Sequence, residues 1–507
     1  MPENGRFHEV FTEREPELVF AVVAPVGVDL DNFQGSFTDV LKQFNYNTNP
    51  IRLSSLAERL RLRSESPPGR DEREYARIDR LMRAGNDLRK AAKRGDILAL
   101  HAVAEIAKIR TPPGGGEPKP ISRTAHLLRS LKHPKEVERL RRIYGAGFFL
   151  IGLHSPLERR LEYLHVQRGM SEDEARDLIG RDQSEKEELG QQTRKTFHLA
   201  DVFVAADQPA HLARFIDLIF KAPFCTPTPD EHAMFLAYAA SLRSAEMGRQ
   251  VGAVVVSSSG EIISTGANDT PRYGGGLYWP GPDDRRDHFY GVDFNDREIR
   301  ALVENVASAV DPLIRPVNKR ALRVAIATTR IDDLIEYGRV VHAEMEALLS
   351  CARSGVSTKG GTMYVTTFPC HNCAKHIVAA GITRVLYVEP YPKSKAEDLH
   401  PDSISLADPP PAEKVSFLPF VGVAARRYFD LFSMKLSDGL ELIRKRDGKA
   451  IVWKRHRATP RVGMATWSYL QRERLTVAEL LESMPFSSRR SRANRSVART
   501  KPPRRKS

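Results

Sequence analysis

What this 507-residue chain lacks narrows its class before any motif is read. It has only four cysteines, Cys225, Cys351, Cys370 and Cys373, too few for a disulfide framework at this length. Cysteine so sparse predicts a reducing compartment, where a close Cys pair serves metal binding or redox chemistry. No apolar run approaches the ~20 residues of a membrane span, and "MPENGRFHEVF" has no signal-peptide hydrophobic segment. The expectation is a cytoplasmic protein without membrane contact. Acid is missing from residues 489–507, "RRSRANRSVARTKPPRRKS", whose nine Lys/Arg supply most of the net charge of +14 and leave the rest at about +5. With no apolar periodicity, the tail 485–507 is expected to be disordered. It is either simply solvated or a contact for RNA or DNA.

The length exceeds what one hydrophobic core serves, so at least two domains are expected. "ELVFAVVA" (17–24) reads as a buried strand, followed by a Pro/Gly turn and a helix over 36–44. Residues 54–110 are charged and helix-compatible, broken by "SESPPGR" (64–70), and the loop "TPPGGGEPKP" (111–120) follows. Apolar runs at 125–130, 147–154 and 201–205 read as further parallel strands. Between them, "SPLERRLEYLHVQRG" and "SEDEARDLIGRD" have helical spacing and capping residues at their starts. Strands alternating with helices imply an α/β, parallel-sheet domain over 1–206. A linker helix, 207–230, leads to a second α/β domain over 231–440. Its helix (231–247) is followed by a hairpin, "VGAVVV" and "EIISTG" around "SSSG", and by later strands at 361–367 and 382–388. A C-terminal extension, 441–484, has no clear pattern.

The densest chemistry lies in "TTFPCHNCAKHIV" (366–378), where Cys370 and Cys373 fall within four positions. A thioredoxin-like redox pair fits a helix start after a strand; a zinc site needs a further ligand. Twenty-eight residues upstream, His342 opens the helix of "VVHAEMEALLSCARSG", with Glu344 two places on. Three protein ligands and an open position describe a catalytic zinc site, whereas a structural site is closed by a fourth ligand. The order H-x-E…P-C-x-x-C, with Pro369 before Cys370, is the known signature of zinc deaminases, in which the Glu is acid/base and not ligand. Two helix N-termini favour the thiolate form that zinc requires. The site expected is therefore His342, Cys370 and Cys373 on Zn2+, with Glu344 moving protons.

Residues 235–391 resemble the deoxycytidylate deaminase branch of the cytidine deaminase superfamily. The matching pieces are "RS" (243–244), "RQVGAVVV" (249–256), "TGANDTP" (265–271), "HAEMEALL" (342–349) and "GGTMYVTTFPCHNCAKHIVAAGITRVLYVEPY" (360–391). The resemblance implies a three-layer α/β/α domain. It also implies that Asn268 contacts the deoxyribose, the alternative being a turn-forming Asn. Arg243 becomes a candidate for the substrate phosphates, the alternative being a solvated helix Arg. Two features depart from the branch: Glu346 stands where an Asn is usual, and an insertion occupies about 272–335. The whole layout resembles bacterial anti-phage dCTP/dCMP deaminases, which fuse a P-loop-kinase-like domain to such a deaminase. That likeness is carried by "LVFAVVAPVGVDLDNF" (18–33), 130–156 and 181–204. It implies free deoxycytidine nucleotides as substrates, a homo-oligomer and a regulatory nucleotide or RNA as partner.

The first loop departs from a working phosphate loop, G-x-x-x-x-G-K-[ST]. Aligned on Gly27, the chain offers Ala24, Asp29, Leu30 and Asp31 at the key places. The lysine and the hydroxyl are both absent, and the two acids are expected to repel a triphosphate. The first domain is thus expected to sense or restrain and not to turn over ATP. Two rival functions stay open. One is a tRNA or single-stranded DNA deaminase, with "GGGLYWPG" stacking a flipped base. The other is a regulatory protein with a purely structural zinc, for which Glu344 has no use.

Overall fold

The computed structural model describes residues 15–61, 72–112, 118–183, 189–313, 318–329, 331, 334, 336–391, 393–407, 411, 413–435, 441–462 and 466–483. The loop 64–70 and the basic tail 485–507 lie outside the described residues. The chain forms two compact units, one made of residues up to Thr226 together with those from Arg426 onward, the other Pro227–Ala425.

In the first unit, strands β1 (Leu18–Val23), β2 (Asn47–Arg52), β3 (Thr124–Arg129), β4 (Phe148–His154) and β5 (Val202–Ala205) run parallel in the order β2-β3-β1-β4-β5. β1 and β3 are buried along their whole length, as apolar runs in a covered parallel sheet must be. Three elements differ from the sequence expectation. Helix α1 spans Leu30–Lys42, beginning six residues before the expected 36, because the Asp29 carboxylate accepts the N–H groups of Asp31 and Asn32 at 3.0 Å. β2 escaped notice because "NTNPIR" has only Ile51 buried and no apolar alternation. Of the two expected capped helices, "SEDEARDLIGRD" has reciprocal bonds between Ser171 and Glu174 (3.0 and 3.1 Å), while Leu157–Glu162 has no side-chain cap.

The segment after 206 also packs into this unit. Helix α3 (Pro209–Ile219) buries Leu212, Phe215, Ile216, Leu218 and Ile219, its partner helix being α1; α2 (Ile97–Arg110) lies elsewhere in the unit. The patternless C-terminal extension returns here too. Trp453 Nε1 donates to the Phe220 carbonyl at 3.0 Å, and Arg455 grips Asp217 at 2.7–2.8 Å. The last described helix, here α7 (Thr466–Ser483), lies on α2, where the fully buried Arg110 guanidinium joins Glu17 (2.8 Å) to Glu473.

The second unit holds a mixed sheet of β6 (Gly252–Val256), β7 (Ile262–Ala267), β8 (Thr362–Thr367), β9 (Arg384–Glu389), β10 (Ile404–Ser405) and β11 (Val415–Pro419), in the order β10-β11-β9-β8-β6-β7. β6 and β7 form the expected antiparallel hairpin, and β8, β9, β11 and β10 are parallel. Helix α4 (Pro229–Ser241) covers one face, and α5 (Ala343–Ser354) covers the other, beside α6 (His371–Ala379). Two glycines prove the layering. Gly252 and Gly266 lie on opposite faces of the hairpin, since Gly252 pairs with Ala267 and Ala253 with Gly266. A Cβ on Gly252 would stand 1.9 Å from the Ala237 carbonyl of α4, and one on Gly266 would stand 2.1 Å from the Ala343 carbonyl of α5. The result is three layers, α/β/α. Among the described residues no helix is long and apolar enough to cross a membrane.

Helix α5 therefore sits directly on the backbone of β7, and any side chain at 266 must lift it. Gly266→Ala is expected to destabilise the unit by about 1–3 kcal/mol or more, because backbone and not a flexible side chain must yield. Urea unfolding of the variant checks this, and an unchanged midpoint refutes the close packing.

Candidate metal centre and active site

Each ligand comes from a helix start that the chain locally dictates. Val341 exchanges backbone hydrogen bonds with Asp269 (3.0 and 3.2 Å), which ends an extended segment. His342 is then the N-cap residue of α5, its carbonyl accepting the Glu346 N–H at 2.9 Å. After β8, Phe368 packs edge-on against Tyr387, and Cys370 becomes the N-cap of α6, its sulfur accepting the Cys373 N–H at 3.4 Å. Cys373 follows one turn into α6, buried beside it. Both sulfurs thus lie at a positive helix end.

These elements bring together the three expected ligands. His342 Nδ1 stands 3.3 Å from each sulfur, and the three ligand atoms lie within 4.8 Å of one another. Tetrahedral zinc, with bonds of about 2.3 Å to sulfur and 2.0–2.1 Å to nitrogen, holds its ligand atoms roughly 3.5–3.8 Å apart. The triad needs to open only slightly to take the ion, and two sulfurs with one imidazole are a donor set zinc favours. The three side chains share protons among themselves. Hydrogen bonding from the Cys373 thiol, reinforced by His342, pulls the Cys370 pKa down to about 4. The bond to Cys370 lifts His342 to about 9, and the same sulfur, with burial, raises Cys373. A divalent cation takes the place of these protons.

Glu344 lies in the first turn of α5, fully buried beside the triad and in hydrogen-bond contact with Cys373. Burial, opposed by the neighbouring His342, lifts its pKa to about 7. A carboxyl at that value gives up and regains a proton near neutrality, which is what acid–base chemistry needs.

The two expected substrate contacts are placed differently. Asn268 is buried, its carbonyl oxygen accepting the Val251 N–H at 2.6 Å and its amide donating to the Arg249 carbonyl at 2.8 Å. It pins residues 249–251 at the entry to β6 and keeps one amide hydrogen for another acceptor. Arg243 is not a solvated helix residue. Helix α4, expected to run to 247, ends at Ser241, where the Ser244 hydroxyl turns to donate to the Asn268 carbonyl at 2.6 Å. Arg243 is half-buried, stacked on Trp279 at 3.8 Å and donating to the Tyr278 carbonyl at 2.9 Å. Its buried Nε has no partner among the described residues.

The insertion supplies features that no motif announced. The guanidinium of Arg286 is buried between Asp284 and Asp269 (2.5 and 3.3 Å), tying the insertion to the turn that carries Asn268. Glu346, the residue that departs from the branch, is buried and bonded to Arg353 at 2.6 Å. Arg353 in turn packs beneath Gly275, whose φ of +101° and close approach to that side chain leave no room for a Cβ. The Gly-Gly-Gly run was the available signal, since three glycines announce positive φ.

His342→Ala and Cys370→Ser are expected to lose the ion, while Glu344→Gln keeps about one zinc per chain. Zinc analysis after gel filtration checks this, and full zinc content in the two ligand variants refutes the assignment.

Comparison with known proteins agrees with the geometry of the second unit. Residues 227–389 match the family model for the cytidine and deoxycytidylate deaminase zinc-binding region. ComE operon protein 2 of Bacillus subtilis (strain 168) is 49% identical over 61 residues, 12% of this chain and 31% of that protein. Deoxycytidylate deaminase of Enterobacteria phage T2 is 51% identical over 55 residues, 11% of this chain and 29% of that one. The chain thus spans about a third of the length of these relatives. A solved dCMP deaminase from the cyanophage S-TIM5 aligns over 38% of this chain and 99% of its own, at 20% identity and a TM-score of 0.22. Over residues 227–389, this chain is similar to the zinc-binding region of cytidine and deoxycytidylate deaminases.

Proposed function

We propose that the unit Pro227–Ala425 removes the exocyclic amine from a free deoxycytidine nucleotide, dCMP or dCTP, giving the deoxyuridine nucleotide and ammonia. The observation that carries this is the buried Glu344 carboxyl beside a His/Cys/Cys triad spaced for zinc. His342, Cys370 and Cys373 would hold a zinc, which would supply Lewis acidity and activate the attacking water. As carboxylate, Glu344 accepts a proton from the attacking water. As acid, it returns that proton to the ring nitrogen and then assists departure of ammonia. Asn268, with one amide hydrogen to spare, meets the sugar hydroxyl, and Arg243, held inward by Trp279, meets a phosphate. A structural zinc would gain nothing from a buried carboxyl, and this weighs against the purely regulatory alternative.

Further readings rest on the resemblance of the fused layout alone. The reaction would deplete deoxycytidine nucleotides during phage infection, in the cytoplasm, by a homo-oligomer controlled by a nucleotide or RNA. The exposed Tyr273 and Trp279 favour the nucleic-acid alternative, so an oligonucleotide belongs in the test.

Zinc-loaded protein incubated with dCMP, dCTP and a cytosine-bearing single-stranded oligonucleotide is expected to yield uracil from a free nucleotide and none from the oligonucleotide. Glu344→Ala should retain zinc and lower the rate about 10²–10⁴-fold. Product from the oligonucleotide alone would transfer the reading to nucleic acid. Unchanged turnover in Glu344→Ala would end it.

A further inference from the structure

In the first unit a cavity of ≈ 230 Å³ opens at the carboxyl ends of β1, β2 and β3. Open α/β sheets bind their ligands at that end of the strands. Leu53, Ile78, Leu81, Met82, Leu98 and Leu164 give it apolar walls. The loop after β1 contributes no phosphate cradle. Its Val26 N–H is taken by the Asp182 carboxylate at 2.8 Å, and Lys132, the lysine lining the cavity, is spent on Asp182 and the Ala24 carbonyl (2.8 and 2.7 Å). Gly27, at φ +93°, lies so close to Arg160 that a Cβ would approach within 2.7 Å. The loop is closed upon the protein itself.

Positive charge gathers elsewhere on the cavity lining. Arg52, Arg77, Arg129 and Arg168 face two carboxylates, Asp31 and Glu74, leaving an excess of two positive charges. Asp31 is shared by three of the four, at 2.9 Å from Arg52, 2.8 Å from Arg129 and 3.8 Å from Arg168; Arg77 holds Glu74 at 2.6 Å. Arg129 is more than nine-tenths buried, and its Nε has no partner among the described residues. Arg129, the buried member, has Asp31 as its counter-ion, and the partly exposed guanidinium groups around that pair leave positive charge for a further anion to meet. Asp31, expected to repel phosphate, has three guanidinium groups around it.

We propose that this cavity binds a phosphate monoester with an apolar or aromatic body. Arg52, Arg129 and Arg168 take the phosphate, the apolar walls take the body, and Asp31 is an internal carboxylate that fills the same guanidinium positions until displaced. Guanidinium forks suit a phosphate's planar pairs of oxygens. The bond from Arg129, foremost among its surroundings, keeps the Asp31 pKa below the usual carboxylate range, so the internal anion is charged at neutral pH.

The test is calorimetry on the full chain with four probes: phenyl phosphate, adenosine 5′-monophosphate, ribose 5-phosphate and inorganic phosphate. The two aromatic esters are expected to saturate one site at least ~10-fold more tightly than the other two. Arg52→Ala, at a half-exposed position that tolerates truncation, and Arg129→Lys, which keeps the buried charge, should each weaken binding by about tenfold. Asp31→Asn should tighten it. Equal affinity for all four probes, no saturation by the aromatic esters, or affinity unchanged in Arg52→Ala and Arg129→Lys overturns the proposal.

Discussion

Two sulfurs and one imidazole nitrogen held within 4.8 Å form the constraint on which the second unit is built. Three soft or nitrogen donors at helix starts repel, share protons or bind a cation, and each outcome is decided by how firmly the two helices are fixed. Here they are fixed by backbone. Helix α5 rests on the bare Cα of Gly266, and α6 follows from a strand end braced by Phe368 against Tyr387 and Phe417. Rigid supports of this kind are what a metal site requires, since an ångström of slack costs affinity and chemistry alike. The same support keeps Glu344 away from water, and burial there holds its pKa above the usual carboxylate range.

Electrostatics organises the first unit differently. Under the proposed reading, its carboxylates, Asp182 at the loop and Asp31 among the arginines, occupy positions where a bound anion would otherwise sit. Negative groups of the protein's own thus stand in for a ligand's. Such a device gives an arginine cluster its counter-ion, at the cost of competition with whatever anion arrives.

How much of this was legible depended on range along the chain. The metal triad and Glu344 were readable because each half of the site lies within one helical turn, where spacing in sequence is spacing in space. The parallel strands were readable from apolar runs, and the hairpin from its turn. The inward setting of Arg243 was not legible, because its stacking partner, Trp279, lies in an insertion with no pattern of its own. The early start of α1 was missed because Asp29 was weighed as a charge and not as a cap. β2 was missed because a strand with one buried residue leaves no alternation to find. The extension from 441 onward looked featureless because its contacts, such as Glu473 with Arg110, join residues hundreds of positions apart.

That last pairing bears on how the molecule is made. The first unit receives its last described helix only from residues 466–483, so the whole of Pro227–Ala425 is threaded between its two parts. During synthesis the metal-binding half is complete, and free to acquire its ion, while Arg110 and Glu17 still await their third partner. A ribosome that stalls late would release a molecule with one finished half and one open one, and no single cleavage can part the two halves intact.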